Sequence, residues 1–139
     1  SVVAEGINGP NGLCFSPDET LLYIVESRSQ PHRCIRVYEV TGGDRLGKHK
    51  IFVDAGPNGT PDGMRCDSDG NLWAGWGMGS AELDGVMIFN PAGEPIGRIE
   101  LPERCANVCF GGRERSRLFM ACGHALYALY VNTQGALGG

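Results

Sequence analysis

Apolar positions in this chain fall in short runs, each bounded by a polar or glycine-rich turn, and three stretches repeat one design. Asn11–Asp18 (NGLCFSPD) is followed by the run Leu21–Val25. Asp62–Gly70 (DGMRCDSDG) is followed by Asn71–Ala74. Ala106–Gly112 (ANVCFGG) is followed by Arg117–Ala121. Each reads as an apolar strand, a tight turn and a second apolar strand. The repeats start at positions 11, 62 and 106, spacings of 51 and 44 residues, near the roughly 40–50-residue period of propeller blades.

Two more strands are predicted after each of the first two units: Cys34–Val40 with Lys50–Asp54, and Gly85–Phe89 with Ile96–Leu101. In the last of these, Ile99 and Leu101 alternate with Arg98 and Glu100, as in an edge strand with one wet face. The unbroken run Leu21–Val25 suits an inner strand covered on both faces. Ala125–Val131 predicts a third strand in the last unit, and Ser1–Ala4 reads as an orphan outer strand from a preceding blade. The fold class is all-β, with about three blades of a β-propeller. A closed propeller needs at least four blades, so the piece is expected to be incomplete. A β-sandwich of about ten strands is the alternative.

Composition supports a turn-rich β chain: 22 Gly and 8 Pro in 139 residues. The net charge of -4 comes with no basic stripe, so no nucleic acid partner is expected, because phosphate binding needs clustered Lys and Arg. No apolar stretch is long enough to span a bilayer as a helix, and no membrane partner is expected. The chain starts at Ser1 rather than Met, so the lack of a visible leader says nothing of the parent protein. Cytoplasm is favoured over periplasm, and the compartment stays open. Six cysteines form no Cys-x-x-Cys pair, and most sit in apolar runs such as Leu13-Cys14-Phe15 and Val108-Cys109-Phe110. They read as reduced, buried thiols rather than zinc ligands. Trp73 and Trp76 read as core. His32, His49 and His124 read as surface or loop residues. Asp67-Ser68-Asp69-Gly70-Asn71 resembles a calcium loop only faintly, since Met78 stands where an acidic ligand is required; a hairpin turn is expected there.

Pro10-Asn11-Gly12-Leu13-Cys14-Phe15-Ser16-Pro17-Asp18 resembles a signature of the gluconolactonase and regucalcin (senescence marker protein) family. Pro61-Asp62-Gly63-Met64-Arg65-Cys66-Asp67, with Asn71-Leu72-Trp73 after it, resembles a second motif of that family. Asn107-Val108-Cys109-Phe110-Gly111-Gly112 and the closing run Leu126–Asn132 resemble two more. The likeness spans about Val2 to Gly135. It implies a six-bladed propeller, of which residues 1–139 would be the C-terminal part of a single domain. The N-terminal blades would come from the same parent chain or from a second chain.

The resemblance also implies a divalent cation, commonly calcium, with zinc, manganese or magnesium as alternatives. Asn11 and Asp62 match two of the family's metal ligands. The third, a Glu of an earlier blade, has no counterpart here, and the family's substrate-contacting Arg, Asn and Glu are absent too. Beside the resemblance, an amide and a carboxylate oxygen at equivalent inner-strand starts would make a hard-oxygen site. The expected function is hydrolysis of a small-molecule sugar lactone by water, on a carbonyl polarised by the cation, with Asp62 as metal ligand and general base. Asn107, one place out of register with Asn11 and Asp62, is expected to line the pocket or brace the channel. Turn chemistry alone also explains Asn11-Gly12 and Asp62-Gly63. The alternatives are a non-catalytic calcium-binding or regulatory propeller, and an inactive fragment of the lactonase. No G-x-S-x-G elbow, P-loop or dinucleotide fingerprint is present.

Overall fold

A computed structural model describes residues 1–137, and the elements follow the apolar runs. The first sheet comprises β1 (Pro10–Phe15), β2 (Leu21–Glu26), β3 (Cys34–Thr41) and β4 (Arg45–Asp54). The second comprises β5 (Met64–Cys66), β6 (Leu72–Trp76), β7 (Gly85–Phe89) and β8 (Pro95–Glu100). The third comprises β9 (Cys105–Gly111), β10 (Arg117–Cys122) and β11 (Leu126–Tyr130). Within each sheet the strands pair antiparallel in chain order. This is the up-and-down pattern of propeller blades. No helix occurs among the described residues, and so none long and apolar enough to cross a membrane.

The second sheet lies between the other two, and the two-residue period of its strands divides its side chains between them. Leu72, Ala74 and Trp76 of β6 join a core with Cys14, Tyr23, Val25, Ile35 and Val37 of the first sheet. Trp73, pointing the other way, joins Val108, Leu118 and Met120 of the third. All five β6 residues are therefore buried, as are most of β2. Edge strand β8 keeps its expected wet face: Arg98 and Glu100 are exposed and Ile99 is half-buried.

The innermost strands β1, β5 and β9 adjoin one another, and glycine permits the approach. A Cβ on Gly12 would lie 2.1 Å from the Asp62 carbonyl oxygen, and one on Gly63 would lie 2.1 Å from Asn107 Oδ1. Neither separation is tolerable for real atoms. Gly63 N–H donates to the Ala106 carbonyl at 2.8 Å, joining the second sheet to the third. The Cys14 and Cys66 sulfurs meet at 3.9 Å between the first and second.

Ser1–Ala4, expected as an outer strand of a preceding blade, has no pairing partner among the described residues. Two expectations are corrected. β4 begins at Arg45 rather than Lys50 because Gly42 and Gly43, both at positive φ, close a tight hairpin that pairs Thr41 with Arg45. All six cysteines are free, but Cys109 is exposed. It alternates with buried Val108 on β9 and so turns away from the second sheet.

Candidate functional site

The starts of β1, β3, β5, β7 and β9 and the ends of β2, β4, β6 and β8 share one end of the three sheets, because consecutive strands run antiparallel. At that end a cleft of about 370 Å³ is lined by Asn11, Thr60, Asp62, Arg28, Arg33 and Arg104, with Ser27, Pro61, Gly77 and Met78 completing the wall. Asn11 enters from the irregular start of β1, where the register with β2 shifts between Pro10 and Leu13. Asp62 lies two residues before β5, its N–H bonded to the Gly75 carbonyl at 2.9 Å. Buried Thr60 accepts the Gly77 N–H at 2.9 Å, tying this segment to the end of β6. Both expected donors thus face one cleft, carried on adjoining strands.

Asp62 is 28% exposed at its side chain and has one charged neighbour, Arg104, at 3.8 Å. Burial is the main influence on its acidity and raises the pKa above the usual carboxylate range. The Arg104 guanidinium pulls the other way, with a weaker pull from the Gly63 N–H, whose hydrogen bond goes to Ala106. The long, half-exposed ion pair is the weak kind, so desolvation prevails. A carboxylate without a close partner, raised in pKa and set in a cleft, is placed for proton transfer or for a cation.

Asn107 sits elsewhere. It is not among the residues lining the cleft. Its Oδ1 accepts the Val108 N–H at 3.0 Å and lies against Gly63. Its contacts are those of a brace between the second and third sheets. The three arginines and Thr60 were not singled out in the sequence. The available signal was positional: Arg28 follows β2, Arg33 precedes β3 and Arg104 precedes β9, all at the end where Asn11 and Asp62 lie.

The faint calcium loop is a hairpin joining β5 to β6. Buried Asp67 accepts from Asp69 N, Asn71 N, Asn71 Nδ2 and Trp73 Nε1 at 2.9–3.0 Å. The histidines lie on the surface or in loops: His32 on Asp54, His124 on Glu103 and His49 beside Arg36. Trp73 and Trp76 are buried in the two cores.

Among the described residues no three His, Cys, Asp or Glu side chains gather into a metal cluster. The Asn11 amide and Asp62 carboxylate fit a calcium-like ion in kind, being hard oxygens. Two donors fall short of the six to eight such an ion takes, and an ion bound here would need water, substrate or other polypeptide for the rest.

An antiparallel array of blade-like sheets with a polar cleft at one end of the inner strands defines a partial β-propeller. The particular family follows from comparison. The profile of the SMP-30/gluconolactonase/LRE-like region matches residues 1–124, and the chain belongs to that family. It is 33% identical over 144 residues to the gluconolactonase of Zymomonas mobilis, covering 96% of this chain and 38% of that protein. The structure of a gluconolactonase from Xanthomonas campestris superposes with a TM-score of 0.79 at 32% identity, over 94% of this chain and 40% of the other. Regucalcin of Agrobacterium tumefaciens, described as a calcium-binding protein, superposes with a TM-score of 0.77 at 25% identity, over 91% and 47%. The chain spans less than half the length of each of these relatives.

Proposed function

We propose that this chain is the C-terminal part of a propeller domain that hydrolyses a sugar lactone with the help of a divalent cation, calcium in the first instance. The observation that carries the reading is the convergence of Asn11 and Asp62, from successive repeats, on one cleft, in a chain whose relatives include named gluconolactonases. Asn11 Oδ1 and an Asp62 carboxylate oxygen would hold the cation, with further ligands from blades that these residues do not include. Bound there, the cation supplies Lewis-acid polarisation of the lactone carbonyl. Asp62 would take a proton from the attacking water. The cleft walls would hold the ring so that water meets one face of the carbonyl carbon. Asn107 keeps the inner strands, and with them Asp62, in position.

The test is calcium-dependent hydrolysis of glucono-1,5-lactone by the natural polypeptide at its full length, followed by pH-stat. Chelation should abolish turnover and calcium should restore it. Turnover that survives complete chelation would sink the metal-dependent reading. A second reading, a calcium-binding propeller without turnover, draws on the likeness to regucalcin. Calcium binding by calorimetry with no hydrolysis of any lactone would favour it.

A further inference from the structure

The charge of the cleft reaches beyond water attack on a carbonyl. Three arginines line it, Arg28, Arg33 and Arg104, and among the described residues its one carboxylate is that of Asp62. The chain as a whole has a net charge of -4, so the cleft inverts the sign of the molecule. Among the described residues neither Arg28 nor Arg33 has a carboxylate within salt-bridge distance, and only Arg104 approaches Asp62, at 3.8 Å. Among the described residues, two of the three cations therefore have no acidic partner.

Local packing positions them. The Arg28 stem lies over Gly9, where an added Cβ would come within 2.8 Å of Cγ and 3.0 Å of Cδ. Arg28 N–H donates to the Asn8 carbonyl at 3.0 Å, and Ser27 Oγ donates to the Gly9 carbonyl at 2.7 Å. Ala55 N–H donates to the Arg33 carbonyl at 3.0 Å, fixing that backbone to the end of β4.

A guanidinium has donors only, in a planar fork that matches the oxygens of a carboxylate or phosphate. The hydroxyls of a neutral sugar both donate and accept, and the acceptors of this cleft, Asn11, Asp62, Ser27 and Thr60, serve them without the three guanidinium groups, which only donate. A cation held by Asn11 and Asp62 would raise the positive surplus further. Like charges crowded into a partly desolvated cleft repel unless an anion joins them, and a cleft of one sign concentrates ligands of the other.

From this we infer that Arg28, Arg33 and Arg104 make the cleft selective for sugar lactones that carry an anionic substituent, a phosphate or a carboxylate, away from the reacting carbonyl. The inference rests on the lactonase reading for its chemistry and on the three arginines for its selectivity.

The experiment compares kcat/KM of the full-length protein, with calcium, for 6-phosphoglucono-1,5-lactone, D-glucaro-1,4-lactone and neutral glucono-1,5-lactone. The expected preference for at least one anionic lactone is about tenfold or more, the scale of one charge-assisted hydrogen bond. Which anionic lactone leads identifies the substituent. The preference should shrink as salt rises. In the Arg28→Gln/Arg33→Gln variant it should fall to about one, mainly through a higher KM for the anionic lactone, and Arg28→Lys/Arg33→Lys should restore part of it. Equal or better use of the neutral lactone by the unaltered protein would overturn the inference, whether or not the variants fold. So would a preference that the glutamine pair leaves intact. If no lactone is hydrolysed, the proposed function fails, and calorimetry decides the inference separately. Tighter binding of 6-phosphogluconate than of D-glucitol, lost in the glutamine pair, supports it; equal or absent binding of the two overturns it.

Discussion

Asp62 and Asp67 stand five residues apart, on either side of the three-residue strand β5, and meet opposite fates. Asp67 is buried and accepts four hydrogen bonds within its hairpin. Asp62 is partly buried, pairs only with Arg104 at 3.8 Å, and its pKa is raised by burial. A carboxylate whose lone pairs are filled by the protein is a structural part. One that is partly desolvated and underfilled keeps its capacity for water, a proton or a cation. The difference comes from register. Asp67 faces the donors of its own turn, whereas Asp62 faces a cleft bounded by three other loops.

The largest effect that would sharpen this contrast is on turnover. Asp62→Ala should lower lactone hydrolysis by about a thousandfold, the scale of a lost general base, while unfolding in urea shifts by no more than about 0.5 kcal/mol. Asp67→Ala should reverse the pattern. It strands several buried donors, Trp73 Nε1 among them, and should cost about 3 kcal/mol of stability by the same measurement. Equal stability losses in the two variants would break the comparison.

Next come the glycines that bring the inner strands together. Gly12→Ala drives a Cβ into the Asp62 carbonyl, a backbone atom that cannot turn aside. It should cost about 2 kcal/mol and displace Asp62. Gly63→Ala strikes first the Asn107 amide, which can rotate, and should cost about 1 kcal/mol. Adding Asn107→Ala should recover part of that loss, read as a coupling in a double-mutant cycle of denaturation midpoints.

The smallest effects are titrations of the metal-free protein, followed by carboxyl carbon NMR. Asp18, in the hairpin that joins β1 to β2, is held below the usual carboxylate range, chiefly by the Ser16 hydroxyl and then by Thr20. Its contribution to stability is present above its unfolded pKa and fades as pH falls through the lower folded value. Asp62 should titrate above the usual range. There the folded state holds its proton more tightly than the unfolded chain, so stability declines as pH rises through that window. A common pKa for the two groups would contradict the contrast in their surroundings.

Legibility followed the range of the interactions. Strand Gly85–Phe89 matched its prediction at both ends, and Leu21–Val25 proved to be the buried strand its unbroken apolar run implied. Alternation and turn residues act within a few positions and can be read locally. Pairing is a property of two segments, and no partner for Ser1–Ala4 lies among the described residues. Cys109 looked buried from its apolar neighbours, but strand alternation and the placement of the second sheet put it outside. The arginines of the cleft went unremarked because nothing in a line of residues joins positions 28, 33 and 104.

By itself, the sequence determined the all-β class, the repeat and the hairpin that holds Asp67, since each follows from local backbone and side-chain chemistry. Only the tertiary structure decided that Asn11 and Asp62 share a cleft, that Asn107 lies against Gly63 instead of lining it, and that three arginines line the same cleft as Asp62. Those facts depend on how separate sheets stack and which strand ends meet, and such contacts arise between residues tens of positions apart once the cores have packed.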